Sequence, residues 1–463
     1  MRWFLISGLL FLLGIYGHCG GNGRPTSVAS PRWDPFLDTL QEHTLRYFLE
    51  TTDSSTGLSP DRWPSSSPSS IAAVGFALTT YPIAVERGLI SREVAAGRVR
   101  SALTFLWNLP QNNRSSNTAG YQGFFYHFVS VRDGIRVWQC ELSTVDTALL
   151  MAGVIFCQTY FDGISSVEND IRNVADSLYR RVDWHWAMGD AKGIHLGWKP
   201  EEGFDKLTWD GYNEAMVLYI LALGSPSHPI PPAAWQHWTA TYRWAKYFES
   251  EFISFGPLFG HQYSHCWVDF RGIQDVYMRG KGIDYAENSR RATFAHREYG
   301  RTNPDGWNGY SDHLWGWSAC DGPGWVTQEI NGAKKTFMGY GARGVSFDWV
   351  SDDGTIPPTA VGGSVAFAPE ICIPALKAMR AAYDDRLFGQ YGFIDAFNLS
   401  FVDAETGRQG WFDHDYLGID QGPIAIMIEN LRNGFVWEIM KKSPYLRDGL
   451  RRAGFDGGWL AFR

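Results

Sequence analysis

Residues 141–160 read ELSTVDTALLMAGVIFCQTY. Ser143 or Thr144 can act as an N-cap, its side-chain oxygen taking a free amide of the first helical turn. The helix that follows, Leu142–Tyr160, is apolar. The next segment, Val167–Trp186, is amphipathic, with Ile171, Val174, Leu178 and Val182 at helical spacing. An apolar helix followed by an amphipathic one is the unit from which the rest of the chain is read.

Helical periodicity also runs through Pro35–Thr52, Ser69–Arg87, Ser91–Trp107, Asn213–Leu223, Pro232–Tyr247, Glu287–Tyr299, Pro369–Phe388, Gly422–Met440 and Ser443–Arg452. Alternating β patterns are few. Gly123–Val131 and Arg136–Trp138 predict a hairpin around Arg132-Asp133-Gly134. Long loops rich in Gly, Trp, Asp and Asn join the helices: Gly193–Asp210, Phe255–Gly272, Gly300–Gly324 and Gly339–Ala368. Loops of that length in a compact domain usually carry function. The pattern predicts an all-α fold, an (α/α)6 barrel in which helix hairpins ring a cleft. No composition break divides residues 34–463, which are read as a single catalytic-size domain.

The chain has 463 residues and a net charge of −8, which excludes the basic footprint of a nucleic-acid binder. Aromatic residues make up 15% of it, with 21 Trp, 21 Tyr and 29 Phe, while charged residues make up only 19%. A buried indole needs a partner for its N–H, so packing alone is a poor reason to choose Trp. A flat apolar face with a polar rim suits a pyranose ring, and an aromatic-lined pocket is the natural place for one. A large aromatic core is the competing explanation.

Residues 1–19 read as a signal segment, with Arg2 ahead of an apolar run from Phe4 to Tyr16, too short to span a bilayer. Cys19 stands where a lipoprotein attachment cysteine would, although His18 replaces the usual small residue. Residues 20–33 resemble a flexible tether. The expectation is export: a periplasmic or outer-membrane-anchored protein held by a lipidated Cys19, or a secreted one. The other cysteines, Cys140, Cys157, Cys266, Cys320 and Cys372, have no framework spacing and read as buried small residues, with room for one disulfide.

Acidic residues recur at helix starts. Glu141 and Asp146 flank the cap of the first helix quoted, and Asp146 lies in an otherwise apolar stretch. Glu214, in Trp209-Asp210-Gly211-Tyr212-Asn213-Glu214, begins another apolar helix after an aromatic loop. Partial desolvation would raise its pKa, as a general acid requires. Asp413, Asp415 and Asp420 precede a third, and an anionic Asp420 would suit a general base. Capping explains each of these equally well. His261 and His265 have i, i+4 spacing but no third ligand nearby, so no metal site is expected. No phosphate-binding Gly loop and no G-x-S-x-G elbow occurs. Two carboxylates among aromatic loops form the inventory of a glycoside hydrolase.

The segments 69–95, ELSTVDTALLMAG (141–153), GYNEAMVLYILALGSPSHP (211–229), HQYSHCWVDFRGIQD (261–275), ENSRRATF (287–294), WGWSACDGP (315–323), AFAPE (366–370), YGFIDAFN (391–398) and DYLGIDQGPI (415–424) resemble the bacterial glycoamylase-like family, glycoside hydrolase family 144. The resemblance covers about residues 34–455. It implies an (α/α)6 barrel and an inverting β-1,2-glucanase that needs no cofactor or metal and acts on β-1,2-glucan, internally or by releasing sophorose. It implies Glu214 as general acid and Asp420 as general base, with Asp395 as rival base. Glu141 and Asp146 shape the cleft or hold the −1 sugar, and either could be catalytic. Trp209, Tyr212, His261, Gln262, His265, Arg271, Arg290, Trp315 and Trp317 are the implied sugar contacts. A monomer is favoured. The alternatives are another toroidal carbohydrate enzyme, such as an α-glucanase or a polysaccharide lyase, and a non-catalytic surface glycan-binding protein. A terpene-cyclase-like toroid lacks its Asp-rich motif.

Overall fold

Helices without a polar face alternate along the chain with helices that have one. The computed structural model describes residues 33–461 apart from residue 331, so the signal segment, Cys19 and nearly all of the tether lie outside the described residues. Amphipathic α1 (Phe36–Thr51) precedes α2 (Ile71–Glu86), buried from Ile71 to Ala84. Amphipathic α3 (Arg92–Asn108) precedes buried α4 (Thr144–Tyr160), and amphipathic α5 (Ser166–Arg181) precedes α6 (Met216–Gly224), buried at every residue. Partly exposed α7 (Ala233–Ala240) precedes buried α8 (Phe259–Trp267). Short α9 (Val276–Lys281) and amphipathic α10 (Tyr285–Thr302) precede α11 (Pro358–Gly362), again buried throughout. Amphipathic α12 (Pro369–Tyr383) precedes α13 (Gly418–Asn433), which is buried over most of its length. Two short helices follow, α14 (Phe435–Met440) and α15 (Pro444–Arg452).

The buried helices touch one another in sequence order. α2 packs on α4, α4 on α6, α6 on α8, and α13 on α8, α11 and α2. Gln262 of α8 donates to the Ala360 carbonyl and to Ser364 Oγ, both at 2.8 Å, which ties α8 to α11. The amphipathic helices lie against them: α1 on α13, α5 on α4, α10 on α8, α12 on α11 and α15 on α6. Where α2 crosses α4 the backbones meet. A Cβ on Gly75 would sit 2.3 Å from the Leu149 carbonyl oxygen, and one on Gly153 would sit 2.2 Å from that of Gly75. Only glycine permits that approach.

The purely helical expectation is corrected. Short antiparallel strands occupy most of the loops, including the hairpin Val326–Ile330 with Ala333–Phe337 and a three-stranded sheet of Thr355–Ile356, Phe397–Val402 and Gln409–Phe412. Pro232–Tyr247 is helical only to Ala240, because Trp244–Tyr247 pairs with Ser250–Ile253. Gly422–Met440 is two helices that start at Gly418 and break at Gly434, whose φ of 71° is left-handed. Phe255–Gly272 and Gly339–Ala368, expected as loops, contain α8 and α11. The expected turn at Arg132-Asp133-Gly134 forms, with Val129 bridged to Arg136. Asp34–Arg463 forms one compact unit, and all five of its cysteines are free thiols. No described helix is long and apolar enough to cross a membrane.

Candidate active site

The N-terminal ends of α4 and α8, with the loops ahead of α6 and α13, surround a cavity of about 330 Å³. Its lining includes His127, Glu141, Asp146, Trp209, Glu214, Phe259, Tyr263, Tyr340 and Ile419. The helix starts deliver these side chains for a local reason. Ser143 caps α4, its Oγ accepting from the Asp146 amide at 3.2 Å, so Asp146 falls in the first turn and Glu141 just outside it. Trp209 Nε1 donates to Thr144 Oγ1 at 2.9 Å, which fixes the indole over the same helix start.

Around this start the charges are balanced. His127 Nδ1 lies 2.8 Å from Glu141 Oε1, and its Nε2 lies 3.7 Å from Asp146 Oδ2. Burial works against a charged imidazole, but Asp146 and Glu141 outweigh it and push the His127 pKa up to about 9. At neutral pH His127 is therefore a cation beside Glu141 and Asp146. Asp146 also takes the Ser143 hydroxyl.

Glu214 lies two positions before α6 and has no such partner. Its Oε2 is buried and accepts no hydrogen bond from the protein. Burial, reinforced by the negative charge of Asp146, raises its pKa to about 7. A carboxyl in that state holds a proton near neutral pH and can release it.

The second acidic cluster is dominated by carboxylates. Asp420, in the first turn of α13, and Asp395, in the loop after Gly392–Phe393, are 3% and 1% exposed and hydrogen-bond each other. Asp395 Oδ1 and Asp420 Oδ2 accept from no N–H or hydroxyl of the protein. Two carboxyls this close cannot both ionise, so they share one proton. Burial and the charge of Asp420 push Asp395 well above the carboxylate range. Burial raises Asp420 to about 7, although the Asp395 hydrogen bond favours its anion. Asp395 therefore holds the shared proton more tightly, and Asp420 is the member of the pair that ionises first. The Asp321 amide donates to Asp395 Oδ2 at 2.6 Å, and Arg62 Nη1 pairs with Asp321 at 2.5 Å and lies 3.7 Å from Asp415. Burial lifts Asp413 to about 6. Asp321, Asp395 and Asp413 bring carboxylate oxygens within 4.8 Å of one another and are the described residues that could hold a cation. Tyr340, a cavity wall, lies in the field of Asp61, Asp420 and Asp395.

The structure thus brings Glu141, Asp146 and Glu214 into one cavity and sets the Asp395–Asp420 pair beside it. Of the aromatic and polar side chains expected to touch sugar, Trp209 lines that cavity. The others are elsewhere. Tyr212, His261, Gln262, Trp315 and Trp317 are at most 1% exposed. Gln262 serves the α8–α11 contact, and Trp317 Nε1 donates to Asp352 at 3.0 Å. Burial lowers the His261 pKa to about 4, so it is neutral. His265, Arg271 and Arg290 line a separate cavity of about 250 Å³ with Trp437. There Arg271 pairs with Asp269 at 2.7 Å and Arg290 pairs with Glu370. Sequence reasoning missed His127, Asp61, Arg62, Asp321, Tyr263 and Tyr340. Asp321 and Tyr263 stood inside quoted motifs, and the others carried no local signal.

The Glycoamylase family, described as "Putative glucoamylase", matches residues 206–444, just over half of the chain. A "putative glucoamylase" from Bacteroides uniformis is 30% identical, with a TM-score of 0.79 over 91% of this chain and 97% of its own. An endo-β-1,2-glucanase from Chitinophaga pinensis, solved with sophorotriose and glucose, is 25% identical, with a TM-score of 0.78 over 92% and 99%. An exo β-1,2-glucooligosaccharide sophorohydrolase from Parabacteroides distasonis is 25% identical over 455 residues, 90% of this chain, which spans only 58% of that relative's length. With its matched segment containing Glu214, Asp395 and Asp420, this chain belongs to the glycoamylase family.

Proposed function

We propose that this protein hydrolyses β-1,2-linked glucan by an inverting acid–base mechanism, releasing sophorose or longer sophorooligosaccharides. The observation that carries the reading is Glu214. Its Oε2 is buried without a hydrogen-bond partner, its pKa is raised to about 7, and it faces a cavity beside a carboxyl pair that shares one proton. Glu214 gives its proton to the departing glycosidic oxygen. Asp420, relieved of its own proton by Asp395, takes one from the attacking water. The His127 clamp orients Glu141 and Asp146, where they accept hydroxyls of the bound sugar. The names of the Chitinophaga and Parabacteroides relatives support the β-1,2 linkage.

The same proposal takes α2, α4, α6, α8, α11 and α13 as the inner ring of an (α/α)6 barrel that forms a single catalytic domain. It also takes the protein as exported, periplasmic, secreted or held at a membrane through Cys19, on the composition of residues 1–19. Metabolic labelling with palmitate, in wild type and Cys19→Ser, tests the tether. The activity is tested by incubating the purified protein with linear β-1,2-glucan, β-1,3-glucan and starch. New reducing ends from β-1,2-glucan alone are expected, and release from starch alone would refute the reading. A ladder of products indicates internal cleavage, and a single disaccharide indicates release from an end.

A further inference from the structure

The turn between the hairpin strand at Arg136 and the strand Leu142–Ser143 has an unusual backbone. The Cys140 amide donates to the Val137 carbonyl at 3.2 Å, closing a β-turn with Trp138 and Gln139 at its centre. Both central residues have positive φ, 57° and 51°. Turns with positive φ at both centres belong to Asn-Gly and Gly-Gly sequences, because a Cβ there is crowded. Here the positions hold a tryptophan and a glutamine, and Trp138 is 71% exposed. A large side chain held in a disfavoured conformation and turned into solvent gains nothing for packing.

The turn is held from below. The Arg136 side chain is 1% exposed, and its guanidinium donates to the carbonyls of Cys140 at 2.7 Å and Gln139 at 2.9 Å. The same group pairs with Glu201 at 2.9 Å and lies over the Tyr126 ring. Two hydrogen bonds from an anchored guanidinium thus hold a turn that its own sequence disfavours. The indole is also connected to the cavity. Trp138 lies 5.3 Å from the Phe128 ring, and Phe128 stacks on His127 at 4.0 Å with an interplanar angle of 12°. His127 is a wall of the cavity, and Glu141, three residues beyond Trp138, is another. An aromatic ledge therefore leads from the carboxylates out to the exposed indole.

We propose that Trp138 is an outlying saccharide subsite, where a glucose unit of a chain that extends out of the cavity stacks on the indole. The proposal rests on the β-glucan reading above and adds a position that short substrates do not reach. An indole presents an apolar face with an N–H at its edge, the pairing a pyranose ring takes. The strained turn holds the indole against Phe128 at a tilt, with most of its surface in solvent.

The test compares wild type with Trp138→Gly and Trp138→Tyr on long linear β-1,2-glucan and on the shortest sophorooligosaccharide that wild type cleaves. Trp138→Gly removes the ring and suits the positive φ, so the variant folds with an unchanged or higher Tm. For long glucan its KM is expected to rise about tenfold, as when an aromatic binding anchor is removed. On the short substrate kcat/KM stays at the wild-type value, and Trp138→Tyr restores much of the affinity for long glucan. A Trp138→Gly enzyme with the wild-type KM for long glucan overturns the subsite, as does an equal loss on both substrates. Tryptophan fluorescence supplies an activity-independent readout. Long glucan should change the emission of wild type more than that of Trp138→Gly, and identical changes contradict the proposal. A wild-type protein that releases nothing from any β-1,2-glucan fails the parent reading, which the fluorescence arm with the same glucan distinguishes from failure of the subsite.

Discussion

Two carboxylate clusters meet at the cavity, and they handle negative charge in opposite ways. At the start of α4, Glu141 and Asp146 flank the His127 cation, which holds the Glu141 carboxyl below its usual range. Around the start of α13, Asp61, Asp321, Asp395, Asp413, Asp415 and Asp420 gather, and their ion pairs run chiefly to Arg62. The excess charge there is met by a proton shared between Asp395 and Asp420. Glu214 belongs to neither arrangement: it borders the first cluster, feels Asp146, and has no cation of its own. The contrast teaches where the mobile protons are. In the proposed mechanism one is the proton of Glu214, and the other is held by Asp395, which leaves Asp420 to accept.

The largest expected effects come from removing those functions. Glu214→Gln and Asp420→Asn should each lower kcat by about 10²–10⁴-fold, the usual worth of a general acid or base, with the fold intact by circular dichroism. Wild-type rates in both would end the assignment. Asp395→Asn then separates the two candidate bases. Asp395 is neutral beside Asp420 and the amide still donates to it, so the Asp420 pKa and the acidic limb of the pH–rate profile stay close to their wild-type positions. Complete loss of turnover in Asp395→Asn, with turnover retained in Asp420→Asn, would exchange their roles. His127→Gln removes the cation from the first cluster. It should lower kcat/KM about tenfold through misplaced Glu141 and Asp146. It should also move the basic limb to higher pH, because Asp146 then raises Glu214 further.

The smallest effect is on stability. Glu214 and Asp420 have folded pKa values raised to about 7, above their unfolded values. Their protons favour the folded state at low pH, and this contribution is lost as pH rises from about 4 to about 7. His127, raised to about 9, loses its contribution between about pH 6.5 and 9. The wild-type Tm should therefore decline across this range. Glu214→Gln should melt higher than wild type near neutral pH and match it below about pH 4. A variant less stable than wild type at neutral pH would show that Glu214 is not a strained carboxyl.

The helices were readable where burial is simple. α2, α4 and α6 are apolar on every side, and α5 carries a clean stripe. α8 and α11 escaped because nine and five residues of mixed polar, glycine and aromatic character make no periodic pattern, and tertiary packing alone sustains helices so short. The strands escaped because most are two residues long. At the site, Glu141, Asp146, Glu214 and Asp420 stood out as acids beside apolar helices, and Asp395 came with a motif. His127, Arg62 and Asp321 did not, since their partners are distant in sequence: Arg62 meets Asp321 across 259 positions. The aromatic excess misled in one respect. Trp315 and Trp317 are core, whereas exposed Trp138 sits in a turn that local rules would give to glycine.

The most direct measurement follows the anomeric proton of the first product from linear β-1,2-glucan by nuclear magnetic resonance. With Glu214 as acid and Asp420 activating water, a single displacement inverts the β linkage, and the α-anomer must appear first and then mutarotate. First appearance of the β-anomer would mean a covalent intermediate and would contradict the roles given to both carboxylates.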